Sequence, residues 1–159
     1  CPDANFLVVP NVLKALQMLA ERHRATFNAP VIGITGSNGK TVVKEWLYQL
    51  LSPEKVITRS PLSYNSQIGV PLSVWMMNEQ TELAIFEAGI SEMNEMQNLQ
   101  PIINPTIGII TNIGETNSKR DVLLLCGRVV RRVVPHNPRS SILGANNARE
   151  GYHRDDLVW

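Results

Sequence analysis

The sequence predicts an α/β fold in three layers, a mostly parallel sheet flanked by helices on both faces. Three observations carry this reading. Short, mainly apolar runs at 31–35, 83–87 and 106–111 have the length and composition of strands buried on both sides. Between them lie stretches whose apolar residues recur at helical spacing. A glycine-rich turn over 35–41 joins the first run directly to a helix. Such alternation argues for parallel strands connected by helical crossovers.

The elements follow in order. Val12, Leu13, Leu16, Met18 and Leu19 mark an amphipathic helix over residues 11–23. Pro30 introduces the first strand, 31–35. After the turn, Thr41 opens a helix through Trp46, Leu47, Leu50 and Leu51, and Pro53 ends it. Residues 55–58 read as a short strand, and the polar segment 59–67 as a surface loop. Pro71 suits the first turn of a helix running through Val74 to Met77. Leu83 to Glu87 form a strand, Ser91 caps a short helix over about 92–99, and 106–111 is a further strand. Trp46, Trp75, Met76 and Met77 read as core or interface packing. There are no internal repeats.

Right-handed crossovers place the strand C-termini along one edge, where ligands bind in such sheets. The glycine-rich turn, Glu87 and the loop 111–117 all follow strand ends, so three polar segments share one rim.

Bulk properties narrow the partners. A formal charge of +1 over 159 residues provides no general attraction for nucleic acid. No run reaches the roughly 20 apolar residues that cross a bilayer, and no signal-peptide pattern opens the chain. Cys1 and Cys126 do not make a metal cluster; a disulfide between them is one alternative, and a reducing cytoplasm is the simpler setting. The chain begins with Cys1 rather than methionine, from which we expect it to be part of a longer protein.

Thr35-Gly36-Ser37-Asn38-Gly39-Lys40-Thr41 sits between a buried strand and a helix, the placement a phosphate-binding loop requires. Glycines let the backbone turn its N–H groups toward phosphate oxygens, and the helix adds the positive end of its dipole. Lys40 reaches the β- and γ-phosphates, and the Thr41 hydroxyl suits Mg2+. The general pattern asks for its first glycine at position 34, which is Ile34; Gly33 and Gly36 flank it. The fold class is thus a P-loop three-layer fold, with Gly36, Ser37, Asn38, Gly39, Lys40 and Thr41 as nucleotide-binding candidates. No Asn-Lys-x-Asp guanine signature is present, which disfavours a GTPase.

This loop resembles that of the Mur ligases and their folylpolyglutamate synthase relatives. Three further blocks agree in order: Ser63-Tyr64-Asn65-Ser66-Gln67-Ile68-Gly69-Val70-Pro71-Leu72, Phe86-Glu87-Ala88-Gly89 and Thr111-Asn112-Ile113-Gly114. Val42-Val43-Lys44-Glu45-Trp46-Leu47 and Ala88-Gly89-Ile90-Ser91 are most similar to one branch, the form fused to alanine racemase. That branch joins D-alanyl-D-alanine to UDP-N-acetylmuramoyl-tripeptide in cytoplasmic peptidoglycan synthesis.

The resemblance implies ATP-dependent amide-bond formation through an acyl phosphate. Lys40 and Mg2+ would neutralise the repulsion between carboxylate and γ-phosphate, making Lys40 and Glu87 the catalytic candidates. Thr41 and Glu87, both hard oxygen donors, are the Mg2+ candidates. Taken outside its block, Glu87 would read as an exposed strand-end carboxylate or a helix-cap partner. Tyr64, Asn65 and Ser66 are candidates for substrate or γ-phosphate contact, although Asn and Ser are also ordinary turn residues.

The match stops short of the C-terminus. Asn117 stands where the family has a metal-holding histidine, and no lysine follows Lys119 to match the family's carbamylated lysine. Residues 1–118 carry seven Lys/Arg against ten Asp/Glu, whereas 119–159 carry eight against four. These breaks divide the chain into an N-terminal linker and helix (1–29), a partial ATP-binding domain (30–118) and a divergent tail (119–159). A truncated or frame-shifted ligase gene would produce that tail, as would a divergent natural segment. Arg128, Arg131 and Arg132 read as a solvated face or a phosphate-binding one. Whole family members have an N-terminal UDP-sugar domain and a C-terminal domain that closes over ATP. This chain alone is therefore expected to bind nucleotide weakly and ligate little or nothing. The alternatives are a degenerate nucleotide-binding module or another ligase of the Mur or folylpolyglutamate type.

Overall fold

The computed structural model describes residues 5–89, 95–112 and Leu125. Along the chain these form α1 (Val12–Arg24), β1 (Val31–Thr35), α2 (Lys40–Leu51), β2 (Ile57–Arg59), α3 (Gly69–Val74), β3 (Leu83–Glu87), α4 (Glu95–Ile103) and β4 (Ile107–Ile110). The strands make one parallel sheet in the order β2-β3-β1-β4. The three-layer α/β expectation holds.

Alternation along β1 and β3 builds two cores. Ile32, Ile34, Leu83 and Ile85 meet Val43, Leu47 and Leu51 of α2 on one face. Val31, Ala84 and Phe86 pack on the other with Val70, Val74, Met96, Leu99, Ile102 and Ile103 from α3 and α4. Burial on both faces is why these strands carry apolar residues at nearly every position. From β1 the chain crosses β3 to reach β2, then returns through β3 and past β1 to β4. This reversal puts a topological switch point at the C-terminal ends of β1 and β3. Ile34 stands beside Glu87 in register there, and Thr35 beside Ile110.

Several boundaries differ from expectation, each for a local reason. β2 starts at Ile57 rather than Lys55, because Val56 bonds to Glu82 and Leu83 outside the ladder. α3 begins at Gly69, ahead of Pro71, and its first turn is set by Ser66, which accepts the N–H groups of Gly69 and Val70. It ends at Val74, short of Met77. α4 runs past Pro101 to Ile103, because Leu99, Ile102 and Ile103 are buried. Asn104, at φ 39°, ends the helix in the left-handed region asparagine tolerates.

Met77 joins the core, whereas Trp46, Trp75 and Met76 are more than half exposed, which corrects the core half of their core-or-interface reading. Trp46 lies with Val42 and Leu50 on the outer face of α2, away from the sheet. Ser91, Ile113, Gly114, Asn117, Lys119, both cysteines, the arginines at 128, 131 and 132, and the division near 118 lie outside the described residues. No described helix is long and apolar enough to cross a membrane.

Arg24 closes the bottom of the fold. It is buried, and its guanidinium donates to the carbonyls of Ile103 (3.0 Å), Phe27 (2.9 Å) and Asn104 (3.1 Å), tying α1 to the end of α4. Burial pushes its pKa below the ordinary arginine value. Arg24→Met keeps the apolar stem but leaves these carbonyls without a donor. Urea denaturation is expected to show a loss of about 2–4 kcal/mol; a loss below about 1 kcal/mol would mean that water replaces the guanidinium.

Candidate functional site

At the switch point, β1 runs into the loop and the loop into α2. Gly36 adopts φ 131° and Gly39 φ 82°, and Gly39 occupies the N-cap position of α2. No side chain caps this helix and its first turn holds no acidic residue. The first N–H groups of a helix have no intrahelical acceptor, so this N-terminus is suited to an anion. Lys40 folds back so that Nζ donates to the Gly36 carbonyl at 2.8 Å, keeping its charge beside the loop.

The next polar segment braces the loop from outside. Asn112 accepts the Ser37 N–H on its main-chain oxygen (3.0 Å) and the Asn38 N–H on Oδ1 (2.8 Å). The Thr111 hydroxyl lies within hydrogen-bond reach of the Thr35 and Asn38 carbonyls. The amides of Ser37 and Asn38 are therefore bonded within the protein, and the donors suited to a phosphate are those opening α2.

Glu87 ends β3 directly beside the loop. It is fully buried, which excludes an exposed strand-end carboxylate. Its Oε2 accepts from the Thr41 hydroxyl at 3.0 Å. Its Oε1 lies 2.9 Å from Lys44 Nζ, an ion pair outside hydrogen-bond geometry, so Oε1 accepts no hydrogen bond. Thr41 and Glu87 thus bring two hard oxygen donors together at the head of α2. Mg2+ is commonly held by one or two such side chains together with phosphate oxygens and water. Among the described residues no cluster of three His, Cys, Asp or Glu offers a protein-only cage. The donor set fits a phosphate-bound Mg2+.

The segment 63–67 reaches the same rim. Asn65 is half-buried and its carbonyl accepts the Gly89 N–H at 2.7 Å, two residues beyond Glu87. Tyr64 is exposed. The Ser66 hydroxyl is engaged by the Gly69 N–H at 3.1 Å, so it serves the start of α3. Gln67 donates to the Glu95 carbonyl and accepts from Gln17, holding the segment between α1 and α4.

Sequence reading missed Lys44 and Ser60 as parts of the site. Lys44 is fully buried and donates to the carbonyls of Ser60 (2.8 Å) and Leu62. The Ser60 hydroxyl accepts the Glu87 N–H at 3.2 Å. One signal was available: Lys44 follows Lys40 and Thr41 at i+4 and i+3, on the inward stripe that continues through Leu47 and Leu51.

Comparison with known proteins shows the family and the fold. The profile of the Mur ligase middle domain matches residues 34–116. Over 111 residues the chain is 39% identical to a UDP-N-acetylmuramoyl-tripeptide--D-alanyl-D-alanine ligase of Bacillus subtilis, covering 70% of this chain and 24% of that protein. It is 44% identical over 108 residues to the ligase of the same name from Borreliella burgdorferi, covering 68% of this chain and 23% of that protein. The chain thus spans about a quarter of the length of the curated relatives it matches. Among solved structures, MurF from Acinetobacter baumannii superposes with a TM-score of 0.72 at 26% identity, over 80% of this chain and 31% of that one. A MurF ligase from Thermotoga maritima in complex with ADP shares the fold, with a TM-score of 0.68 at 24% identity, over 80% of this chain and 32% of that one.

Proposed function

The chain belongs to the Mur ligase family by its middle domain, and from that premise we propose that it is the ATP-binding segment of a ligase adding D-alanyl-D-alanine to UDP-N-acetylmuramoyl-tripeptide. One observation supports the nucleotide role above others: Thr41 and Glu87 are in contact at the uncapped head of α2, with Lys40 in the same loop.

In the reaction we propose, the terminal carboxylate of the tripeptide attacks the γ-phosphorus of ATP, giving an acyl phosphate and ADP. The amine of D-alanyl-D-alanine adds to the acyl carbon, and the tetrahedral intermediate expels inorganic phosphate as the amide forms and the amine loses a proton. The protein's task is to bring one anion to another. Lys40 and the N-terminus of α2 would hold the transferring phosphoryl group and offset its charge. Thr41 and Glu87 would hold Mg2+, which supplies further charge neutralisation on the phosphates. Asn65, hydrogen-bonded to the segment that follows Glu87, would present the tripeptide side of the site. A reaction using ATP and a nucleotide-linked substrate would take place in the cytoplasm.

A second reading, nucleotide binding without ligation, draws on Asn117 and on the lack of lysines beyond Lys119. A chimera separates the two. Residues 31–112 would replace the matching segment of a complete D-alanyl-D-alanine-adding ligase, with ADP and new amide then quantified. Amide formed in step with ADP is the expected result. A folded chimera that binds Mg2+-ATP but makes no amide would favour the second reading, and ADP with a stable phosphorylated product would indicate a kinase.

A further inference from the structure

Among the described residues, Lys44 is one of the largest fully buried side chains. Lysine rarely sits fully inside a protein, because removing its charge from water is costly unless partners compensate. Here Nζ has four oxygens near it: Ser60 O, Leu62 O, Glu87 Oε1 at 2.9 Å and Glu45 Oε1 at 3.3 Å. Glu45 in turn pairs with Arg59, whose guanidinium lies 3.9 Å from the Tyr48 ring centroid. The charges alternate from the surface to the site and balance, leaving Lys40 as the positive side chain of the loop.

Each element that Lys44 touches carries a different part of the site. Its own helix begins with Lys40 and Thr41. Glu87 ends β3. The Ser60–Leu62 turn leads into Tyr64 and Asn65. The same face of α2 therefore holds both oxygens of one carboxylate, Thr41 on Oε2 and Lys44 on Oε1, which fixes its plane. Leu62 adds a second sign. It adopts φ 45°, unfavourable for leucine, with its side chain 78% exposed, so apolar packing does not account for the conformation. What the conformation achieves is delivery of the Leu62 carbonyl to Lys44.

We propose that Lys44 is a positioning residue of the nucleotide site, holding the Glu87 carboxylate toward Thr41 and anchoring the turn that leads to Asn65. The proposal rests on the nucleotide reading above and adds a division of labour: Lys40 serves the phosphates and Lys44 serves the metal-binding carboxylate. Without Lys44, Glu87 keeps a single side-chain hydrogen bond and is free to turn from Thr41. Loss of a residue that orients a metal ligand typically lowers metal affinity by about 10–100-fold.

The test is calorimetric titration of ATP into the 159-residue chain, with EDTA and then with Mg2+, for wild type, Lys44→Met, Lys44→Arg and Lys40→Ala, each checked for fold by circular dichroism. Lys44→Arg, which preserves the charge, is expected to bind metal-free ATP within about twofold of wild type, and both Lys44 variants to lose at least about tenfold of the gain that Mg2+ confers. Lys44→Arg is decisive, since it keeps the charge that compensates Glu87 but cannot bring one compact ammonium to the same oxygens. If the arginine variant retains the full Mg2+ gain, Lys44 only balances charge and the proposal is overturned. Equal losses with and without Mg2+, or failure of both Lys44 variants to fold, would likewise overturn it by making Lys44 a residue of the fold alone. Lys40→Ala separates the two levels. If it abolishes binding while the Lys44 variants behave as wild type, only the positioning role fails; if wild type binds no ATP, the nucleotide reading fails and the positioning role with it.

Discussion

Lys40→Ala is expected to weaken Mg2+-ATP binding by at least about 100-fold while leaving the fold intact. The magnitude follows from charge-assisted hydrogen bonds, each contributing about 1.5–3 kcal/mol, with about 1.4 kcal/mol for each tenfold in affinity. Lys40 is only partly buried, and the hydrogen bond it makes is with the Gly36 carbonyl four residues earlier. Its removal therefore costs little stability, less than about 1 kcal/mol, because one partly exposed bond is lost and water can solvate the carbonyl. The charge matters more to a ligand, because the other nearby ammonium, Lys44, is paired with Glu87. Calorimetry gives the affinity and thermal melting the stability. An affinity within threefold of wild type would show that the nucleotide binds elsewhere or that the helix N-terminus suffices.

Gly36→Ala should be the most damaging small substitution in the loop, and Gly39→Ala much milder, although both glycines have positive φ. At Gly36 a Cβ would collide with the Thr111 hydroxyl and lie 2.8 Å from the Asn112 carbonyl oxygen and 2.9 Å from its nitrogen. Two of these contacts are backbone, so no side-chain rotation relieves them. The strained φ of 131° adds about 1–3 kcal/mol and the overpacking a similar amount, giving a loss of about 2–6 kcal/mol. At Gly39 a Cβ would meet only Thr111 Cβ, at 3.9 Å, an ordinary contact. Backbone strain alone then costs about 1–2 kcal/mol. Urea denaturation of the two variants measures the contrast directly. Equal losses would mean that φ alone governs both positions and that the Thr111–Asn112 brace yields freely.

That brace shows where local pattern stops being informative. The candidate phosphate loop is a contiguous string, Thr35 to Thr41, whose backbone shape follows from its own glycines and from the strand and helix on either side. It is legible without tertiary structure for that reason. The partners of its amides are not, because Asn112 lies more than seventy residues away and meets Ser37 and Asn38 only when β4 pairs with β1. Parallel strands bring distant segments side by side, and no local signal marks which residue of the later segment will carry the bond.

By itself the sequence determined the kind of fold and the edge on which the candidate site lies. Val31–Thr35 and Leu83–Glu87 are apolar along their whole length because both faces are covered, and their spacing around amphipathic helices requires parallel crossovers. The positions of Lys40 and Thr41 at a strand-to-helix turn followed from the same local rules. Tertiary structure decided the electrostatics. Glu87 reads as a plausible surface carboxylate until β3 is placed inside the sheet, and Lys44 reads as one helix lysine among several until α2 packs across β1 and β3. Whether either charge is buried depends on what covers it, and burial makes pairing obligatory. Sheet pairing and helix packing together set that covering, which turns an unremarked lysine into the partner of the site's carboxylate.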